Sequence, residues 1–133
     1  MSITIRRNGH SGMRHTVQIR DHAITVDEGS EAGGDDAGPN PHDLYDAALG
    51  ACKALTVLWY ANRKGIPLQD IEVVVDRDAS DERKGVYRLK TALRLGGDLS
   101  PAQRDELIKV AGKCPVHKLM TDVKTEVETV WLD

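Results

Sequence analysis

Two cysteines carry most of the chemistry this chain can offer. Cys114 stands in AGKCPVHKLM (111–120), directly before Pro115, with Lys113 on one side and His117 three residues on. Cys52 stands in GACKALT (50–56), among apolar residues. A proline is preorganised for the first position of a helix, which makes Cys114 an N-cap. Unpaired backbone N–H groups and the helix dipole stabilise a thiolate there. Lys113 and His117 add positive charge, so Cys114 reads as a reactive thiol. Two other readings stand beside it. C-x-x-H is half of a zinc site, but zinc takes about four ligands, and His10, His15, His22 and His42 form no motif around it. The other alternative is a small buried hydrophobe. Cys52, in mid-helix, reads first as packing, because apolar surroundings disfavour the charged form of a thiol. To act as a nucleophile it needs a cation brought to it, most simply an arginine.

The rest of the composition narrows the setting. A length of 133 residues predicts a single domain over 1–133. Hydrophobic residues make up 40% and charged residues 29%, an ordinary globular mix. The net charge of -3 argues against a nucleic-acid partner, which requires a basic face. The one basic stretch, RRNGHSGMRH (6–15), reads as solvated surface. No run approaches the ~18 apolar residues of a membrane span, and MSITIRRN lacks an apolar signal core, so a cytoplasmic location is expected. In a reducing compartment the two cysteines should form no constitutive structural disulfide. Phenylalanine is absent, so the core must rest on Leu, Ile, Val and Ala.

The elements that must position the thiols can be read in order. Alternation at Ile3/Ile5, Val17/Ile19 and Ile24/Val26 predicts three short antiparallel strands, with turns at Asn8-Gly9 and Arg20-Asp21. The Gly- and Asp-rich segment 29–40 is a loop. Asn40 as N-cap, Pro41 as first residue and Asp43 near the positive helix end predict a long helix, PHDLYDAALGACKALTVLWYANRK, that stops at Gly65. Its middle is apolar nearly all round, which implies burial on most sides. A domain this small has few neighbours to cover such a helix, so a second subunit should cover part of it. IEVVVDRD and GVYRLKTALRL form a hairpin through ASDERK, with Tyr87, Leu89, Thr91, Leu93 and Leu95 on one face. SPAQRDELIKVAG is a helix with a Ser100/Gln103 capping box that ends at Gly112. CPVHKLM opens a further short helix, and VKTEVETVWL reads as a closing strand. The fold class is α+β.

The stretch GPNPHDLYDAALGACKALTVLWYANRKGIPL (38–68), with a later AGKCPVHK, resembles the osmotically inducible protein C / organic hydroperoxide resistance family (OsmC/Ohr). CPVH and the YANRKG helix end look most like its OsmC-like branch. The resemblance implies an OsmC-like fold, with antiparallel sheets around a long buried central helix in an intertwined homodimer. It also implies a cytoplasmic thiol-dependent peroxidase that reduces organic hydroperoxides without a cofactor. Cys52 would attack the peroxide and become a sulfenic acid. Cys114 would resolve it as a disulfide, which a dithiol reductant reopens. On helix-end grounds Cys114 is the better thiolate, whereas the family pattern gives attack to Cys52. The assignment follows the family, since Cys114 also suits the leaving thiol on reduction.

The family further uses an arginine beside the thiol and a carboxylate that orients it. Arg14 is the first candidate and Arg20 the next. The family glutamate after Asn-Pro is His42 in this chain, and Asp43 is the substitute, with helix-end charge complementarity as its alternative role. Asp43 and Cys52 lie nine positions apart, roughly 13–14 Å of rise and half a turn on one helix. Either a partner subunit brings in the acid or the helix breaks near Leu49-Gly50. Two other functions fit the same residues. One is a non-catalytic redox or small-ligand-binding module on this scaffold, and the other is a zinc-binding structural protein.

Overall fold

Alternating β-branched residues build the first sheet. In the computed structural model, which describes residues 1–133, β1 (Ile3–Arg7), β2 (His15–Ile19) and β3 (His22–Val26) pair antiparallel in that order. Ile5 faces Val17, and Val17 faces Ile24, so the apolar alternation falls in register. The turn between β2 and β3 places Arg20 in the left-handed region at φ 52°. These strands belong to the first of two compact units, Met1–Tyr45; the second is Asp46–Asp133.

The Gly- and Asp-rich loop of the first unit is organised by one buried side chain. The carboxylate of Asp27 accepts the backbone N–H groups of Glu28 (2.8 Å), Asp35 (3.1 Å) and Ala37 (3.0 Å). The Ala37 bond does most to hold this carboxyl below its ordinary value. Burial opposes it, and the Glu28 and Asp35 bonds and the Arg14 charge add to it.

The long helix, α1 (Pro41–Lys64), begins and ends where its signals predict. Asn40 Oδ1 accepts the Asp43 N–H at 2.9 Å, and the Asn40 N–H donates to Asp43 Oδ2 at 3.1 Å, a reciprocal cap. Gly65 takes φ 67° and stops the helix, and the Ile66 N–H closes onto the Ala61 carbonyl at 2.9 Å. The helix runs unbroken through Leu49 and Gly50.

In the second unit, one stripe of α1 is buried: Asp46, Leu49, Gly50, Lys53, Val57 and Ala61. Steps of three and four keep these residues on one face. That face meets the hairpin of β4 (Leu68–Asp78) and β5 (Arg88–Gly97), in which Val73 pairs with Leu93 and Ile71 with Leu95. Gly50 permits the approach, because a Cβ there would lie 2.8 Å from Val75 Cγ2. The core joins Val57, Ala61 and Ile66 to Leu95, Leu107 and Ala111. The last two come from α2 (Pro101–Ala111), which starts with the Ser100/Gln103 capping box. α3 (Pro115–Thr121) follows, with Cys114 as its N-cap.

One feature is open in the single chain, where the sequence reading expects a second subunit to cover part of α1, and one differs from that reading. The chain buries one face of α1 and leaves the other open, with Leu55 67% and Trp59 59% exposed. Residues 123–133 form no strand, although VKTEVETVWL alternates. Alternation decides which side chains share a face; a strand also needs a neighbouring ladder of backbone groups. No helix is long and apolar enough to cross a membrane.

Candidate active site

Cys52 and Cys114 enter one neighbourhood through the first turn of α3. The Val116 N–H donates to Cys52 Sγ at 3.5 Å, and Val116 is the second residue after Cys114. On α1, Thr56 Oγ1 lies 3.8 Å from Cys52 Sγ, one turn along the helix. Both cysteines are free thiols; Cys52 is half-buried and Cys114 fully buried. Pro115 sets Cys114 at the N-cap, as its position predicts, but the Cys114 side chain accepts no capping hydrogen bond. The N–H that sequence logic gives to Cys114 is aimed at Cys52. The reason is tertiary: α3 starts against α1, so a helix-end amide serves the sulfur across from it rather than the one at its own cap.

Beside this pair lies a buried cation. Lys53 is 3% exposed, and its Nζ donates to the Ala111 carbonyl at 2.8 Å and meets His117 Nδ1 at 2.9 Å. With Lys53 as an ammonium, which has only donors, the contact is one that His117 accepts at Nδ1. His117, the far residue of C-x-x-H, therefore faces a lysine. No three His, Cys, Asp or Glu side chains gather in a way that would hold a metal ion.

A second polar cluster lies further along the same buried stripe. Asp46 accepts from Arg77 Nε at 2.5 Å and from the Tyr87 hydroxyl at 2.6 Å. Burial, and then the Asp46 hydrogen bond, raise the Tyr87 phenol above its ordinary value, while Arg77 pulls the other way.

The remaining sequence candidates belong to the first unit. Asp43 is the reciprocal partner of Asn40 in the α1 cap. Arg14 lies 3.7 Å from Asp35, with both side chains largely exposed. Arg20 occupies the β2–β3 turn, and its carbonyl accepts from Gln18. Sequence reasoning missed Lys53, Thr56, Asp46 and Arg77. The signal for Lys53 and Asp46 was present: both fall on the Leu49–Val57–Ala61 stripe, where a polar side chain must be buried.

Residues 33–129 match the family model for OsmC-like protein. The chain belongs to the OsmC-like family. No curated protein sequence gives a significant match. Among solved structures, an OsmC-like protein of Mycoplasma pneumoniae is similar to it with a TM-score of 0.72 at 22% identity, over 92% of this chain and 87% of that one. An organic hydroperoxide resistance protein of Legionella pneumophila gives 0.65 at 21% identity, over 92% and 90%. The organic hydroperoxide resistance protein OhrB of Bacillus subtilis gives 0.61 at 22% identity, over 92% of each chain. The α+β arrangement of antiparallel sheets and three α-helices is thus the OsmC fold. Within this OsmC-like chain, Val116, two residues after the α3 N-cap Cys114, is the residue whose N–H reaches Cys52.

Proposed function

We propose that this protein is a cytoplasmic thiol-dependent peroxidase that reduces organic hydroperoxides, working as a single-domain subunit of a homodimer. The observation that carries the reading is the 3.5 Å contact from the Val116 N–H to Cys52 Sγ. It joins the half-buried thiol to the helix that Cys114 caps, and it gives the attacking sulfur a donor suited to a negative charge. Cys52 thiolate attacks the terminal peroxide oxygen, an S–O bond forms as the O–O bond breaks, and the alkoxide leaves as the alcohol by taking up from water the proton that the thiol released on ionising. The product is a Cys52 sulfenic acid. The Cys114 sulfur then attacks Cys52, an S–S bond forms, the S–O bond breaks, and water leaves. A dithiol reductant restores both thiols by exchange.

Arg14 and Asp43 are proposed to hold the peroxide and orient that arginine. Because α1 is unbroken at Leu49-Gly50, the partner subunit is the proposed source of the acid. The apolar side chains beside Cys52 on α1, Leu49 and Leu55, favour an alkyl hydroperoxide over hydrogen peroxide. Stopped-flow mixing with cumene hydroperoxide is expected to consume two thiols per chain, and Cys52→Ser to abolish turnover. A Cys52→Ser protein that still turns over ends the assignment. A non-catalytic redox module is favoured by one observation: Asp43 is already engaged in capping Asn40. That reading predicts slow stoichiometric thiol oxidation with no turnover.

A further inference from the structure

Lys53 is a buried cation whose surroundings leave its charge unmatched. It is 3% exposed, and its two hydrogen-bond partners are a carbonyl and an imidazole nitrogen. Neither carries a full negative charge, and no ion pair of the chain includes Lys53. The Ala111 carbonyl belongs to the last residue of α2, where the helix dipole is negative and offsets part of the charge. Isolated buried charges are costly, and proteins place them where an opposite charge or a metal is met.

Two groups touch Lys53, the Ala111 carbonyl and His117, and the groups next to these on α1, α2 and α3 decide what that opposite charge can be. From α1 come Cys52, its chain neighbour, and Thr56, which lies against the same sulfur. From α3 come the Val116 N–H and His117, with Cys114 at the cap. From α2 comes the Ala111 carbonyl. Of these, only the two thiols can become anions. Cys52 is the one that already accepts a backbone N–H, from Val116, with Thr56 Oγ1 3.8 Å from its sulfur.

We infer that Lys53 is the resident cation of the thiol site, a positioning residue whose ammonium, seated by His117 and the Ala111 carbonyl, stabilises the Cys52 thiolate. The inference rests on reading Cys52 as the reacting thiol. Lys53 touches the first turn of α3 through His117, as Cys52 does through Val116, so both consecutive residues of α1 meet the same turn.

The test measures alkylation of Cys52 by iodoacetamide across pH, in a Cys114→Ser background so that one thiol reports. Lys53→Met keeps the length of the side chain and removes its charge. It is expected to fold, by circular dichroism, and to be alkylated about tenfold more slowly at neutral pH. Its rate should converge with the parent in alkali, where the thiolate forms in both. A merely structural lysine leaves that profile in place. A folded Lys53→Met protein with the parent's profile overturns the inference. Should Lys53→Met not fold, nitrogen NMR of the Lys53 ammonium in the unsubstituted protein decides. Its signal is expected to step as Cys52 ionises and to lose that step in Cys52→Ser; a step unchanged in Cys52→Ser overturns the inference. Neither readout uses a peroxide, so failure to consume hydroperoxide and failure of Lys53 to act on Cys52 are separate results.

Discussion

Cys114 is wholly buried and Cys52 only half-buried, a division suited to a thiol that meets substrate and a thiol that waits for it. With Cys114→Ser, one equivalent of hydroperoxide should still oxidise Cys52, but the sulfenic acid should persist and be trapped by dimedone. Sustained turnover should stop after that first cycle. Mass spectrometry of the adduct checks this, and a Cys114→Ser protein that cycles normally removes Cys114 from the resolving step. Asp27 poses a stability question at the same scale. Its folded carboxyl is held below the ordinary 3.8 by three backbone N–H bonds, above all that of Ala37. The stabilisation is fully present above the unfolded value and is lost as pH falls through the lower folded value. Asp27→Ala should therefore melt at a lower temperature than the parent at neutral pH, and the gap should close in acid. A gap independent of pH would show that the carboxylate's charge is not what orders the loop.

α1 determines most of what the second unit can do, because one stripe serves both packing and chemistry. Val57 and Ala61 enter the core, Lys53 meets α2 and α3, and Asp46 takes Arg77 and Tyr87. Gly50 allows the helix to lie against β4, since an added Cβ meets Val75 Cγ2 at 2.8 Å. Gly50→Ala should force helix and strand apart and cost about 1–3 kcal/mol, the range for overpacking a filled core. Urea denaturation measures it. A neutral or stabilising result would mean that Val75 turns aside and the helix gains from losing a glycine.

The whole molecule leaves apolar surface without cover. Leu55 and Trp59 are 67% and 59% exposed on α1, and Val127, Trp131 and Leu132 are 82%, 95% and 100% exposed near the chain end. Large exposed apolar groups mark an interface when they are gathered, and a second copy of the chain is the proposed cover. Sedimentation equilibrium should give twice the 14.6 kDa of one chain. Leu55→Glu should return the mass of a single chain while keeping its helical circular dichroism. An unsubstituted protein that sediments as a monomer at micromolar concentration ends the dimer proposal.

The sequence by itself determined the local elements, because their signals are local: Asn40-Pro41 and Gly65 bound α1, Ser100 and Gln103 cap α2, and Pro115 starts α3. Strand alternation likewise predicted the three antiparallel strands β1, β2 and β3. It also picked out the two cysteines, by residue type and by family pattern. Only the tertiary structure decided which sulfur receives the α3 amide. It alone turned Lys53 inward onto His117, and left residues 123–133 without a ladder. Those outcomes depend on which surfaces meet across long stretches of chain. Hydrogen bonding and burial act on whatever group is nearest in space, and a reading of neighbours along the chain has no access to that.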